Sequence, residues 1–159
     1  MTNNHCYLFA LEIAPMEVGH IYDELPLHCT LMHRFWSKLS PDEFAAKVRP
    51  FFEQTPAVLL KAYEHLLLGP KQMAVSEIEL TEELSGLHMQ LYKILNDLKV
   101  DYTAPEWVGE GYRAHASDRK DARLEVGKQH LSPAVYLIEV EVPEHEKQRI
   151  IRTKFDLSS

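Results

Sequence analysis

The sequence is poor in cysteine: only Cys6 and Cys29 occur in 159 residues, and neither belongs to a CxxC pair. That argues against a disulfide framework and against thiolate zinc sites, and points to a reduced, cytosolic protein. No apolar run approaches the ~20 residues that a membrane span needs. The opening MTNNHCYLFALEIAP has neither the charged n-region nor the cleavage site of a signal peptide, so its apolar part reads as a first strand. Positive charge is also in deficit. Seventeen Lys and Arg against 24 Asp and Glu leave a net −7, which disfavours broad gripping of long nucleic acid. A local basic pocket for a small anion or an RNA end stays compatible with that balance. No low-complexity tract interrupts the chain, and 45% apolar content suffices for a packed core. The length suits one domain, or two small lobes sharing a core.

Along the chain, residues 5–13 read as a buried strand, and residues 14–26, with Pro15, Gly19 and Pro26, as a loop. A strand follows from Leu27 to about Trp36. Ser40-Pro41-Asp42-Glu43 is a helix start with a capping box, and Phe44, Ala45, Val48, Phe51 and Phe52 give that helix its apolar stripe to about Gln54. Residues 57–68 and 73–80 read as strands around a Gly69-Pro70 turn. Thr81 caps a second helix, whose buried face is Leu84, Leu87, Leu91, Ile94, Leu95 and Leu98. A further strand spans about Tyr112–Ser117, and residues 118–129 have no readable pattern. A hairpin of 134–142 and 148–157 around Pro143-Glu144 ends the chain. The pattern predicts an α+β fold with mainly antiparallel strands and a rough internal duplication.

Two short stretches carry chemistry. In PLHCTLMHRF, strand alternation puts His28, Thr30 and Met32 on one face and Leu27, Cys29 and Leu31 on the other. An imidazole and a hydroxyl then stand about 7 Å apart along one surface. The pattern returns 87 positions later in GEGYRAHASD, where His115 and Ser117 share a face. One such pair is commonplace, whereas two in like context describe a two-histidine acid–base site with hydroxyls to hold an oxyanion. Histidine suits both proton-transfer roles because its ordinary pKa of about 6.5 lets one ring be neutral and the other charged near neutrality. Attack and departure at phosphorus lie in line, so the two rings must flank the phosphate.

HCTL and HAS, in the contexts PLHCTL and GYRAHAS, resemble the two H-x-[T/S] signatures of the two-histidine (2H) phosphoesterase superfamily. That superfamily includes the RNA 2′,3′-cyclic phosphodiesterases, also called 2′-5′ RNA ligases. The closing AVYLIEVEV and QRIIRTKFDL are similar to its final strand pair. The resemblance implies a single bilobal domain over residues 1–159, with helices outside and the site in a central cleft. It implies catalytic roles for His28 and His115 and phosphate binding by Thr30 and Ser117. Two departures stand out: Ala114 replaces the family's proline before the second histidine, and Ser117 replaces the commoner threonine.

The implied activity is metal-independent hydrolysis of a 2′,3′-cyclic phosphate, on an RNA end or a small cyclic nucleotide, to a phosphomonoester. No cofactor is expected, no membrane partner, and a monomer by default. The alternatives are a non-catalytic nucleotide or RNA-end binding module of the same fold, or 2′-5′ ligation by the same groups in reverse. A metal site on His28, His33 and His115 is a rival without HExxH or carboxylate spacing to support it. Alternation places Arg34 on the His28 face and Arg113 on the His115 face, with Arg113 the stronger phosphate contact. It turns His33 away from His28 unless a bulge intervenes. His88 reads as an edge-of-packing residue on the second helix. Lys71, Arg119 and Lys120 read as loop charges without an assigned role.

Overall fold

The computed structural model describes residues 4–141 and 148–158. In chain order its elements are β1 (His5–Glu12), β2 (Ile21–Tyr22), β3 (His28–Ser37), α1 (Pro41–Glu53), β4 (Val58–Leu68) and β5 (Met73–Ile78). There follow α2 (Glu82–Asp97), β6 (Asp101–Tyr102), β7 (His115–Ser117), β8 (Gln129–Ser132), β9 (Ala134–Val140) and β10 (Arg149–Asp156). The fold is α+β. One sheet has the strand order β2-β10-β9-β1-β3-β6 and the other β7-β5-β4-β8, with every pairing between these strands antiparallel. Each sheet therefore holds one of the two histidine strands.

Local chemistry explains the helix boundaries. Ser40 Oγ accepts from the Glu43 N–H while the Glu43 carboxylate accepts from the Ser40 N–H, so both halves of the capping box form. Thr81 Oγ1 accepts from the Leu84 N–H at the start of α2. The apolar stripes of the two helices, including Phe44 and Phe52 on α1 and Leu84 and Leu91 on α2, lie in one buried cluster. Phe9, Leu31 and Phe35 of the larger sheet and Leu60 of the smaller one belong to the same cluster. Each such side chain contributes about 1.5–3 kcal/mol on burial. On the opposite face of β1, Cys6, Leu8 and Ala10 pack with Tyr136 and Ile138, beneath Met16 and Leu25 of the 14–26 loop. Helices thus cover one face of the six-stranded sheet, and that loop crosses part of the other.

Some segments differ from the sequence reading. The second histidine strand is three residues long, because residues 105–107 and 109–111 form 3-10 turns ahead of it. Residues 118–129 contain a tight Arg119–Ala122 bridge before β8, and residues 14–26 contain the two-residue β2. Strand β5 ends at Ile78, and Leu80 is exposed. The turn expected around Pro143-Glu144 lies outside the described residues.

Candidate active site

The two histidine strands meet where the sheets approach each other. Tyr112, just before β7, donates its hydroxyl proton to the Thr30 carbonyl at 2.8 Å. The Cys29 thiol, between His28 and Thr30, faces the Tyr112 hydroxyl at 3.8 Å and the His115 backbone N–H. Burial pushes that thiol up to about 12, so it serves as packing between the strands and not as a nucleophile. Beside this seam opens a cavity of about 460 Å³, bordered by His28, Thr30, His33 and Ser117. His115 stands just outside this border, with its ring centroid 6.5 Å from that of His33.

The two motif histidines are held alike. His28 Nδ1–H donates to the carbonyl of Pro26 at 2.9 Å, and His115 Nδ1–H donates to the carbonyl of Arg113 at 3.3 Å. In both cases the acceptor lies two residues upstream, just ahead of the strand that the histidine begins. A carbonyl can only accept, so each neutral ring carries its proton on Nδ1 and leaves the Nε2 lone pair for the site. His28 Nε2 lies 3.3 Å from Thr30 Oγ1. Burial lowers the His28 pKa to about 4, against the Pro26 hydrogen bond, and the charges of Arg119 and His115 reinforce the shift. Burial also lowers His115. With both values lowered, both rings are neutral at pH 7, and a bound phosphate anion would draw a proton onto one of them.

His33 contradicts the simple alternation. Ala10 pairs with Thr30, Phe9 with Met32 and Tyr7 with Phe35, so β3 carries one extra residue in each interval. These two bulges reset the faces. Met32, expected beside His28, is fully buried with Leu31 in the core, and His33 turns to the cavity. Burial lowers His33 to about 4, with the charge of His115 next in size. Leu31, left unpaired by the first bulge, gives its carbonyl to His88 Nδ1–H at 2.8 Å. His88 Nε2 in turn accepts from the Gly109 N–H at 2.9 Å, and its ring stacks on Tyr112 at 3.9 Å and 4°. The residue read as lying at the edge of packing is 1% exposed and joins α2, β3 and the approach to β7.

Arg113 does not border the cavity. Its Nε and Nη2 donate to the two carboxylate oxygens of Glu77 at 2.5 and 2.9 Å, a fork that fastens β7 to β5. The guanidinium groups on the cavity border belong to Arg34, Arg119 and Arg149. Arg119 Nε donates to the Leu25 carbonyl at 2.5 Å, and Arg149 Nη1 to the Asp23 carbonyl at 2.6 Å. Those two contacts hold the end of the 14–26 loop at the cleft. The sequence reading leaves Arg119 as a loop charge, although its two-residue spacing from Ser117, the same as that of Ser117 from His115, is a signal for it. Arg149 has no such signal, because only the sheet order brings β10 to this place.

A second hydroxyl–imidazole–carboxylate row lies elsewhere: Ser76 Oγ is 3.0 Å from His65 Nδ1, and His65 Nε2 is 3.6 Å from Glu125. Ser76 is fully buried and spends its proton on the Leu124 carbonyl, which makes the row structural. Among the described residues no three or more His, Cys, Asp or Glu side chains are grouped to hold a metal ion. No helix among them is long and apolar enough to cross a membrane.

No protein-family model and no curated protein matches the chain by sequence. Solved structures do match its fold over essentially its whole length. A crystal structure of a phosphoesterase superposes with a TM-score of 0.61 at 12% identity, covering 98% of this chain and 99% of that one. Escherichia coli LigT complexed with phosphate gives 0.54 at 13% identity, covering 99% and 100%. LigT complexed with 3′-AMP gives 0.53 at 13% identity, covering 98% and 99%.

Proposed function

We propose that this chain is a 2H phosphoesterase that hydrolyses 2′,3′-cyclic phosphates, on a nucleotide or an RNA end, to phosphomonoesters. The observation that carries the reading is the matched pair of imidazoles, His28 on the cavity border and His115 just outside it. Each is pinned through Nδ1 to the carbonyl two residues upstream, each is followed by a hydroxyl, and each stands on a strand of a different sheet. The fold shared with a phosphoesterase, and with LigT holding phosphate or 3′-AMP, supports it.

In this mechanism one ring takes a proton through Nε2 from a water attacking phosphorus. The phosphorus–oxygen bond to one ribose oxygen breaks in line with that attack, and the other ring, protonated, gives its Nε2 proton to the departing oxygen. Thr30 and Ser117 donate to the non-bridging oxygens, and Arg119 adds charge at the border. Arg113 acts one step back, holding β7 on Glu77. The same groups would join a 2′-5′ linkage if a 5′-hydroxyl attacked in place of the water and the 3′ oxygen left with the acid's proton.

The test is turnover of 2′,3′-cyclic AMP in excess EDTA, followed by phosphorus NMR. Wild type converts it, and His28→Ala and His115→Ala each lose about 10²-fold or more, the scale of a general acid or base. Binding without turnover by wild type would favour a nucleotide-binding module. Full activity in both variants would overturn the site.

A further inference from the structure

We infer that His33 contacts the substrate and reads its nucleoside part, an inference that rests on the phosphoesterase reading above. Its side chain is aimed into the cleft by construction. The two bulges of β3 turn it onto the cavity border beside His28 and Thr30, and the Leu31–His88 hydrogen bond holds the first bulge in place.

His33 is set apart from the phosphate position. Five residues of extended chain separate it from His28, on the order of 15 Å before the bulges shorten the path. His115 is the neighbour the two rings share: its charge acts on both, and its ring lies 6.5 Å from that of His33. With a phosphate flanked by His28 and His115, His33 on the same cavity border is within reach of the attached ribose or base. Leu8 and Val140, both largely buried in the sheet, also touch the cavity border. A neutral imidazole offers one donor and one acceptor, which matches a ribose hydroxyl or a base edge and does little for a phosphate dianion.

The experiment is calorimetric titration of wild type, His33→Phe and His33→Gln with inorganic phosphate and with 3′-AMP, alongside kcat and KM for 2′,3′-cyclic AMP. Wild type binds 3′-AMP more tightly than phosphate. His33→Phe loses about tenfold in 3′-AMP affinity, the scale of one neutral hydrogen bond, with phosphate affinity unchanged. KM rises while kcat stays within about threefold, and His33→Gln, which keeps a donor and an acceptor, recovers most of the loss. Two results would overturn the inference alone: 3′-AMP affinity unchanged in both variants, or phosphate affinity falling as far as that of 3′-AMP. Wild type that binds neither ligand would overturn the phosphoesterase reading along with it.

Discussion

Replacing His88 with phenylalanine tests how the site is held. The phenyl ring keeps the stack on Tyr112 but loses both ring nitrogens, leaving the Leu31 carbonyl and the Gly109 N–H without their partner. Both residues are buried, so water does not replace the lost bonds. Each orphaned group costs about 1–3 kcal/mol, and added apolar contact from the larger ring offsets about 1 kcal/mol. The net loss is about 1–5 kcal/mol, out of a total near 5–15 for a natural domain. At this chain length that lowers Tm by roughly 2–20 °C. Urea unfolding at pH 7.5 gives the free energy by linear extrapolation, and a thermal scan gives the midpoint shift. A loss under about 1 kcal/mol would refute the bridging role. A full loss with unchanged 3′-AMP affinity would show that the bulge holds its shape without His88.

Other outcomes follow from the same geometry. Stability should fall on mild acidification. His28 and His33 stand at about 4 in the fold, and burial also lowers His88 and His115, whereas all four return to about 6.5 on unfolding. The unfolded chain then binds more protons, so this stability is complete above pH 6.5 and is lost as pH falls from there toward 4. Urea midpoints at pH 7.5 and 5.0 measure it, and equal midpoints would contradict it. Arg119→Ala should lower kcat/KM for 2′,3′-cyclic AMP by roughly 10–100-fold, the worth of a hydrogen bond to a charged group. Arg113→Ala should change it less than about threefold, and the reverse ranking would return Arg113 to the phosphate. Ser117→Ala and Thr30→Ala should each cost about tenfold in kcat/KM with Tm nearly unchanged; a loss that follows Tm would make those hydroxyls structural.

What was readable in advance is what depends on near neighbours in sequence. The Ser40–Glu43 capping box, the Thr81 cap and the stripes of both helices are local, and they form as read. So are the H-x-[T/S] pairs: period-two alternation suffices to put His28 with Thr30 and His115 with Ser117. Alternation fails at His33 because the bulges exist only in the register of β3 against β1, twenty or more residues away. The cavity arginines divide on the same principle. Arg119, read as a loop charge, carries an unused local signal in its step from His115 and Ser117, while Arg149 reaches the cleft only because β10 sits between β2 and β9. Arg113 has the right parity, but Glu77 on the neighbouring strand β5 takes it, a pairing that no local pattern encodes.

The most direct test of the two-histidine chemistry is the pH dependence of kcat/KM for 2′,3′-cyclic AMP in EDTA, for wild type and each histidine variant. This ratio reports the free enzyme, in which burial holds both His28 and His115 below 6.5. Wild type should give a bell with its maximum on the acid side of pH 6.5. His28→Ala and His115→Ala should each lose about 10²-fold or more, and each should erase one limb, the limb identifying that ring as base or acid. A wild-type profile flat from pH 4 to 9, or a bell that persists in both variants, would contradict the account.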